Sequence, residues 1–429
     1  MTMRCGIWLK NDLRLEDNPL FAQALKTGLE LVPFFCLDPA MFQLDDFGLR
    51  RCGSFRAAFL LESLREMEQS LRSKNSGLIF CLESAVTAIP HLASEWNFSC
   101  IITSGEFGTE ETSLMDSVEA ELTKSGCRLL RTPREYLLPE EKLPFPLEKV
   151  PDGFTSYRLK TEHIPLSRPL LPAPQTLPSP EIPPAEFPTL SVPGLKKLEK
   201  DPRTAFPFAA GEQAAQNRLR YYALESGLLS EYKETRNGLL GSDFSSKFSP
   251  WLAYGSLSAK QIYEAVIKYE QSAGANESTR WLVFELRWRD FFRLMLRKHG
   301  ARMFYFSGYQ GKFSPPSLRD LDRFQAWCRG ETENAFVNAG MKELLLTGFL
   351  SNRMRQVAAS YLIDYLHLDW RLGAAWFEEQ LIDYDVASNW GNWSYLAGVG
   401  SDPRGKRVFD PQRQANQYDP DGSYRNNWR

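Results

Sequence analysis

Residues 5–37, CGIWLKNDLRLEDNPLFAQALKTGLELVPFFCL, place an amphipathic segment between two short apolar runs. The runs CGIWL (5–9) and LELVPFFCL (29–37) predict buried strands, and NPLFAQALK (18–26) predicts the helix that joins them. A strand, a helix and a second strand in this order are typical of the βαβ unit of a parallel sheet. The stretch therefore predicts an α/β domain at the N-terminal end of the chain.

The same alternation continues to about residue 130. Amphipathic segments at 54–74 and 110–126 predict helices, and apolar runs at 77–82 and 99–104 predict strands. This order predicts a doubly wound parallel sheet with helices on both faces. No G-x-G-x-x-G follows the first strand, so the layout by itself does not indicate an NAD site.

The composition changes after the α/β region. Ten prolines lie between Pro165 and Pro193, where no apolar period survives. We therefore predict domains at 1–130 and 201–429, joined over 131–200 by a Pro-rich linker that crosses the surface. From about residue 210 apolar residues recur every three or four positions, which predicts a large all-helical domain.

Charge and composition limit the classes of function. The chain has 429 residues and a formal net charge of −2, so nucleic-acid binding would require a local basic face. Seven scattered cysteines and only four histidines favour reduced thiols and argue against a metal site. Without a signal-like segment or a run of about twenty apolar residues, the expected location is the cytoplasm.

The segment SDFSSKFSPWLAYGSLS (242–258) places Ser245, Ser246, Lys247 and Ser249 just before an apolar helix. Hydroxyls and free backbone N–H groups at a helix start suit a phosphate, and the lysine adds positive charge. Simple capping of the helix explains the same residues. Both interpretations stay open.

In WLVFELRWRDFF (281–292), Glu285, Trp288 and Phe292 share one helix face. A glutamate beside a tryptophan on a basic helix could receive a flipped base, with arginines for phosphates. Equally, this face of the helix could pack in the core while the arginines on the opposite face are exposed to solvent.

Polar side chains interrupt the apolar helix at SNRMRQVAAS (351–360). Asn352, Arg355 and Gln356 share a face there, and burying an unmatched guanidinium costs about 2 kcal/mol or more. The aspartates of DYDVASNWGNWSY (383–395) are natural partners for Arg355. Structural pairing alone would also explain the arrangement.

Several of these segments together resemble the photolyase/cryptochrome flavoproteins over nearly the whole chain. WLKNDLRLEDNPLF resembles the start of their antenna domain, and FSSKFSPWLA, ELRWRDFF, LTGFLSNRMRQVAASYL and LDWRLGAAWFEEQLIDYDVASNWGNWSY resemble their flavin-domain segments in order. The resemblance implies an α/β antenna domain, a long connector and an all-helical domain that binds FAD. It also implies that FAD is contacted by Tyr232, Ser245, Ser246, Lys247, Phe248, Ser249, Arg289, Arg355, Asp383, Asp385 and Asn389.

Within the family, FTSYRLKTE and EYKETRNGLLGSDFSSKFSPWLAYGSLS are similar to the DASH cryptochromes. These proteins are expected to repair cyclobutane pyrimidine dimers, with a preference for single-stranded or looped-out DNA. Tyr395 and Gln356 stand where ordinary dimer photolyases carry tryptophan and methionine. The residues implied to meet DNA or the dimer are Glu285, Trp288, Asn352, Arg353, Gln356 and Tyr395.

The resemblance also implies an electron path and an antenna. Trp393 and Trp370 match the proximal and middle tryptophans of the family's reduction path, whereas the expected outer position falls near Ser317, within KFSPPSLRD. The antenna implied is 5,10-methenyltetrahydrofolate, held partly by Glu106 or Glu110, although a deazaflavin or no antenna is an alternative.

We therefore expect a blue-light-driven, FAD-dependent lyase that acts as a monomer on single-stranded or UV-damaged DNA. RNA is an alternative partner. A blue-light receptor with a signalling or regulatory output is the main alternative function, and a nucleic-acid-binding flavoprotein without turnover is a third.

Overall fold

The computed structural model describes residues 2–166, 169–188, 199–311, 320–401 and 407–429. A five-stranded parallel sheet forms the centre of the N-terminal part. Its strands are β1 (Arg4–Trp8), β2 (Glu30–Cys36), β3 (Ile79–Cys81), β4 (Phe98–Ser104) and β5 (Arg128–Thr132), in the spatial order β3-β2-β1-β4-β5. Cys5 of β1 pairs with Leu31 on one side and with Cys100 on the other.

Helices cover both faces of the sheet. Ile7 and Leu31 point into one core together with α1 (Pro19–Leu25) and α2 (Ser54–Arg72). Trp8 and Val32 point into the opposite core with α3 (Ala85–Glu95) and α4 (Thr109–Lys124). Because consecutive strand residues face opposite sides, the central strands β1, β2 and β4 are buried on both faces and are mainly apolar, whereas the edge strands β3 and β5 are partly exposed. The predicted doubly wound arrangement is confirmed.

The connector after β5 contributes to the folded core. The described residues of the connector contain one α-helix, α5 (Phe154–Thr161), and the side chains of Leu166, Leu177 and Ile182 are buried. The backbone N–H of Leu177 donates to Lys74 at 2.8 Å, which fastens the connector to the end of α2. This part of the chain therefore packs more closely than a linker that merely crosses a surface.

The remainder is helical, as predicted. The α-helices are α6 (Glu212–Arg220), α7 (Tyr232–Thr235), α8 (Ser249–Tyr254), α9 (Ala259–Ala273), α10 (Glu277–His299), α11 (Leu321–Arg329), α12 (Ala335–Thr347), α13 (Asn352–Ser360), α14 (Trp370–Gln380), α15 (Val386–Leu396), α16 (Pro411–Tyr418) and α17 (Ser423–Asn427). Single π-turns continue α6 and α13, at Tyr221–Glu225 and Tyr361–Tyr365.

Small residues set the close packing of the helices that later form the site. A Cβ on Gly391 of α15 would lie 2.3 Å from the Phe292 ring of α10. A Cβ on Gly373 of α14 would lie 2.2 Å from the ring of Trp393. Only glycine allows these helices to approach so closely, and α15 is thereby held between α10 and α14.

Candidate functional site

A cavity of about 1340 Å³ opens in the helical part of the molecule. Helices α10, α13 and α15 line it, although they are far apart in the sequence. The predicted site residues on its wall are Glu285, Trp288, Arg289, Asn352, Gln356 and Tyr395. The fold thus brings together most of the side chains that the sequence assigned to a nucleic-acid lesion.

The Glu285 carboxylate is held in a defined orientation at this wall. Its Oε1 accepts hydrogen bonds from Arg236 Nη1 at 2.7 Å and from Trp281 Nε1 at 2.9 Å. Burial raises the pKa of Glu285, and the Arg236 charge only partly opposes this. A carboxyl group with a raised pKa can accept or donate a hydrogen bond, which suits recognition of carbonyl or imide groups.

Two aromatic rings form a corner of the cavity. The rings of Trp288 and Tyr395 lie 6.0 Å apart with an interplanar angle of 86°. Trp288 also stacks on Phe154 of the connector helix α5, at 3.8 Å and 14°. A flat ligand could therefore stack on one ring of the corner while its edge meets the other.

The polar residues of α13 separate into two groups. Asn352 and Gln356 line the cavity, and the buried Gln356 Oε1 has no hydrogen-bond partner in the part of the chain that the structure describes. Arg353, predicted to meet DNA, does not line the cavity. It donates to Asn237 at 3.1 Å and lies over the ring of Tyr418 at 4.8 Å.

The predicted pairing of Arg355 is present. Its Nη2 donates to Asp383 Oδ2 at 2.8 Å, and its Nε donates to the carbonyl of Leu350. The second carboxylate oxygen, Asp383 Oδ1, is buried and has no hydrogen-bond partner among the described residues. A buried acceptor of this kind is expected to have a hydrogen-bond partner, so the position suits a ligand that donates one.

Asp385 is the N-cap residue of α15, and Asn389 lies within that helix. Asp385 Oδ2 accepts from Arg293 at 3.2 Å, and its Oδ1 caps α15 through the N–H of Ser388. Burial opposes the charged form of Asp385, but Arg293 and Arg289 outweigh it and lower its pKa to about 2. Asn389 donates to the carbonyl of Ala374 at 3.0 Å, which fixes its amide.

The serine-rich segment before α8 has an unusual backbone. Ser245 and Lys247 adopt φ values of 69° and 64°, in a region that non-glycine residues rarely occupy. Lys247 is only 3% exposed and forms no ion pair with a described residue. Burial, together with Arg218 and Arg355, lowers the pKa of Lys247 to about 8. A strained loop around a buried, unpaired cation favours an anion site over simple helix capping.

The other residues predicted to contact the phosphates and ribityl chain lie at the starts of α7 and α8. Tyr232 begins α7 and is buried, Phe248 is buried at the N-cap of α8, and Ser249 is the first residue of α8. Because α8 has only six residues, its helix start alone would be a weak anion site.

The two tryptophans assigned to electron transfer are buried, at 2% exposure for Trp393 and 0% for Trp370. The Trp393 ring contacts Phe377 at 5.1 Å and Trp327 at 6.4 Å. Trp370 contacts Trp390 at 5.7 Å. Ser317, at the expected outer position, lies outside the described residues.

A second, small cavity of about 110 Å³ lies between the α/β part and helices α10 and α15. Glu106 lines it and pairs with Lys10 at 2.5 Å, whereas Glu110 lies outside it and pairs with Arg51. Glu111, which the sequence analysis did not single out, also lines this cavity. Burial raises the pKa of Glu111 to about 7, with neighbouring carboxylates adding to the shift.

Comparisons with known proteins agree with this geometry. Two family models match, "DNA photolyase" over residues 5–180 and "FAD binding domain of DNA photolyase" over residues 281–429. A cryptochrome DASH of Gloeobacter violaceus is 43% identical over 98% of this chain and 84% of its own length. A cryptochrome DASH of Xenopus laevis is 41% identical over 98% of this chain and 81% of its own length.

The chain belongs to the photolyase/cryptochrome family, among the DASH cryptochromes. Family members of known structure share its architecture. A Synechocystis cryptochrome superimposes with a TM-score of 0.94 at 40% identity, covering 99% of this chain and 88% of the other. A class III photolyase of Agrobacterium tumefaciens gives 0.84 at 25% identity, covering 100% and 86%.

The residues present fit the cofactor that this family domain binds. FAD carries two phosphates, a ribityl chain with hydroxyl donors and a ring with an imide N–H. The buried ammonium group of Lys247 suits the phosphates. The buried Asp383 Oδ1, which has no partner among the described residues, could accept a hydrogen bond from a ribityl hydroxyl or from the imide N–H. The FAD-binding domain assigned by the comparison is thus supported by buried groups that need ligand partners.

Sequence reasoning missed several residues of the large cavity. Phe154 and the two residues that hold Glu285, Arg236 and Trp281, were not among the residues predicted for the site. No sequence signal marks these three, because their role depends on contacts between distant segments. Among the described residues no helix is long and apolar enough to cross a membrane, and no cluster of three metal-ligating side chains occurs.

Proposed function

We propose that this protein is a blue-light-driven, FAD-dependent lyase that splits cyclobutane pyrimidine dimers in single-stranded or looped DNA. The observation that carries the proposal is the large cavity, which is lined by Glu285 and by the perpendicular rings of Trp288 and Tyr395. An extruded dimer presents flat faces and carbonyl edges, and these are the groups that such a corner and such a carboxyl recognise.

Two groups of residues would hold different parts of the cofactor. Lys247, with Ser245, Ser246, Ser249 and the buried rings of Tyr232 and Phe248, would hold the phosphates and ribityl chain. Asp383, kept in place by Arg355, would accept a hydrogen bond from the cofactor, while Asp385, Arg289 and Asn389 would border its ring. When bound and reduced, FAD supplies the excited electron that a dimer can accept.

The Asn389 side chain suits this chemistry. An amide can donate or accept a hydrogen bond, so it tolerates different protonation states of a neighbouring ring nitrogen.

Tyr395 supports the preference for single strands. Extruding a base from a duplex costs a few kcal/mol, and much less from a single strand. A tyrosine offers a smaller stacking surface than a tryptophan and offsets less of that cost. The roles proposed for Glu285, Trp288, Asn352 and Gln356 are contacts to the dimer, whereas Arg353 is not among the residues that line the cavity.

For reduction of the flavin we propose Trp393 as the first ring, as its burial supports. Trp370 and Trp327 are the two continuations, the latter being the tryptophan in ring contact with Trp393. Trp393→Phe is expected to abolish light-driven flavin reduction in the presence of an external thiol donor, because phenylalanine is too hard to oxidise. Unchanged bleaching of the flavin absorbance in this variant would refute the route.

The antenna is proposed to be methenyltetrahydrofolate beside Glu106 and Glu111. The cavity there is about 110 Å³, well below the roughly 300–1,000 Å³ of typical small-molecule sites. Most of a folate would therefore lie in the open cleft between the domains rather than inside the cavity.

We further propose that the protein acts as a cytoplasmic monomer.

The decisive experiment is to illuminate reduced, FAD-loaded protein with dimer-bearing oligo(dT) and to follow the recovery of thymine absorbance. We expect recovery on single strands, slower recovery on duplex, and strong loss with Glu285→Ala. Glu285→Gln, which keeps the shape and a carbonyl acceptor, should retain part of the activity. No recovery by the wild type would leave a light receptor or a binding protein without turnover.

A further inference from the structure

The connector helix α5 forms part of the wall of the large cavity. Phe154, its first residue, is 4% exposed and stacks face to face on Trp288 at 3.8 Å. Two rings at this separation leave no room for a base between them. A ligand can therefore reach Trp288 only from the opposite face or from the edge.

Helix α5 is firmly docked, so the stacked ring is a fixed support. Phe154 also packs edge to face on Phe284 at 5.1 Å, and Tyr157 packs on Phe291 at 5.5 Å. At the other end of α5, Arg287 Nη1 donates to the carbonyl of Thr161 at 3.3 Å. These contacts attach the connector helix to α10 at both ends, at positions of α10 within about one turn of Trp288.

Rigidity of Trp288 matters because its ring is one side of the aromatic corner. An indole that is already immobile loses little conformational freedom when a ligand stacks on it. Without the support, the ring could rotate away from its perpendicular arrangement with Tyr395. Undamaged, flexible thymines would adapt to such a change, whereas a rigid cyclobutane dimer would not.

We propose that Phe154 is a positioning residue for dimer recognition, which holds the Trp288 ring at the angle that a dimer requires. This inference rests on the proposed function. It assigns to the interdomain connector a part in substrate selection, in addition to its part in joining the domains.

The test measures binding in the dark, by fluorescence anisotropy of labelled oligo(dT), with and without one dimer. The proteins are full-length, FAD-loaded wild type, Phe154→Leu and Phe154→Tyr. We expect Phe154→Leu to bind the dimer strand about 10-fold more weakly, which is the scale of one side chain that must be ordered on binding. Its affinity for undamaged strand should change less than twofold. Phe154→Tyr keeps the ring and should restore the wild-type preference.

Phe145→Leu is the matched control. Phe145 belongs to the same apolar cluster and packs on Tyr157 at 6.5 Å, without a ring contact to Trp288. It should lower the melting temperature as Phe154→Leu does, yet keep the dimer preference. In turnover assays, Phe154→Leu should raise KM for the dimer strand more than it lowers kcat.

The outcomes separate the two claims. A wild-type preference that persists in Phe154→Leu, or is lost equally in Phe145→Leu, would overturn the positioning role alone. Equal wild-type affinity for dimer and undamaged strands, without recovery of thymine absorbance, would overturn the proposed function and this inference with it.

Discussion

At the scale of single residues, Lys247 shows how a buried charge indicates a ligand. Its ammonium group is almost fully buried, and its pKa is lowered to about 8. A bound phosphate favours the charged form and would raise this pKa again, so that binding is coupled to proton uptake. In the protein without cofactor, the unfolded chain binds this proton more tightly. The free energy of unfolding should therefore rise with pH above about 8.

The first prediction follows from this coupling. The affinity for FAD should be constant below about pH 8 and weaken above it, by up to about tenfold per pH unit while Lys247 titrates. Lys247→Arg should remove the dependence, since a guanidinium stays charged throughout this range. Release of flavin fluorescence between pH 7 and 10 measures both. Equal pH slopes in the two proteins would exclude Lys247 as the coupled group.

Tyr395 carries the second prediction. Tyr395→Trp enlarges the stacking surface and should raise the ratio of duplex to single-strand repair, because base–aromatic stacking contributes about 1–3 kcal/mol per base. Tyr395→Phe, which keeps the ring size, is the control and should leave the ratio near that of the wild type. A ratio unaffected by the larger ring would show that strand preference originates outside the aromatic corner.

At the scale of elements, the helices of the site meet through glycines. Gly373 of α14 lies against the Trp393 ring, and a methyl group there would come within 2.2 Å of it. The ring is buried among Phe377 and Trp327, so it has little room to move. Helix packing here determines the position of a proposed electron donor.

The third prediction tests this packing. Glycine to alanine inside a helix ordinarily stabilises by about 1 kcal/mol. Gly373→Ala should do the opposite and reduce the free energy of unfolding by about 1–3 kcal/mol, because the methyl group overlaps the indole. The sign of the change serves as the internal control. Near-ultraviolet circular dichroism should report a displaced tryptophan, and a stabilised variant would contradict the close contact.

At the scale of the whole molecule, side chains of one domain cap the backbone of the other. The Glu212 carboxylate of α6 accepts from the N–H groups of Leu15 and Glu16 at 2.7 and 2.9 Å. Across the same interface, the Asp17 carboxylate accepts from the side chains of Ser258 and Lys260 of the helical part. These contacts hold the cleft in which the second cavity lies.

The fourth prediction concerns this interface. Burial raises the pKa of Glu212 to about 7, so its contribution to stability is present below its ordinary pKa and is lost as the pH rises through about 7. The melting temperature of the wild type, relative to Glu212→Gln, should therefore fall between pH 5 and 8. The size of the effect is on the order of 1–3 kcal/mol. A difference that does not vary with pH would assign the titration to other groups.

Local pattern was sufficient for part of this picture. The switch between the two-residue period of strands and the 3.6-residue period of helices predicted the doubly wound sheet and the helical domain. Burial also predicted a partner for Arg355, since an unmatched guanidinium in an apolar helix is too costly. Neither argument required knowledge of which distant segments meet.

The sequence by itself therefore determined the fold class, the family, and the helices on which the flavin and lesion residues lie. Tertiary structure alone decided that Phe154 of the connector stacks on Trp288, that Arg236 and Trp281 orient Glu285, and that Arg353 contacts Asn237 and Tyr418. The physical reason is that apolar periodicity, and the need of a buried polar group for a partner, can be recognised within one segment of the chain. The orientation of a side chain in a site depends on packing between segments that only the folded molecule brings together.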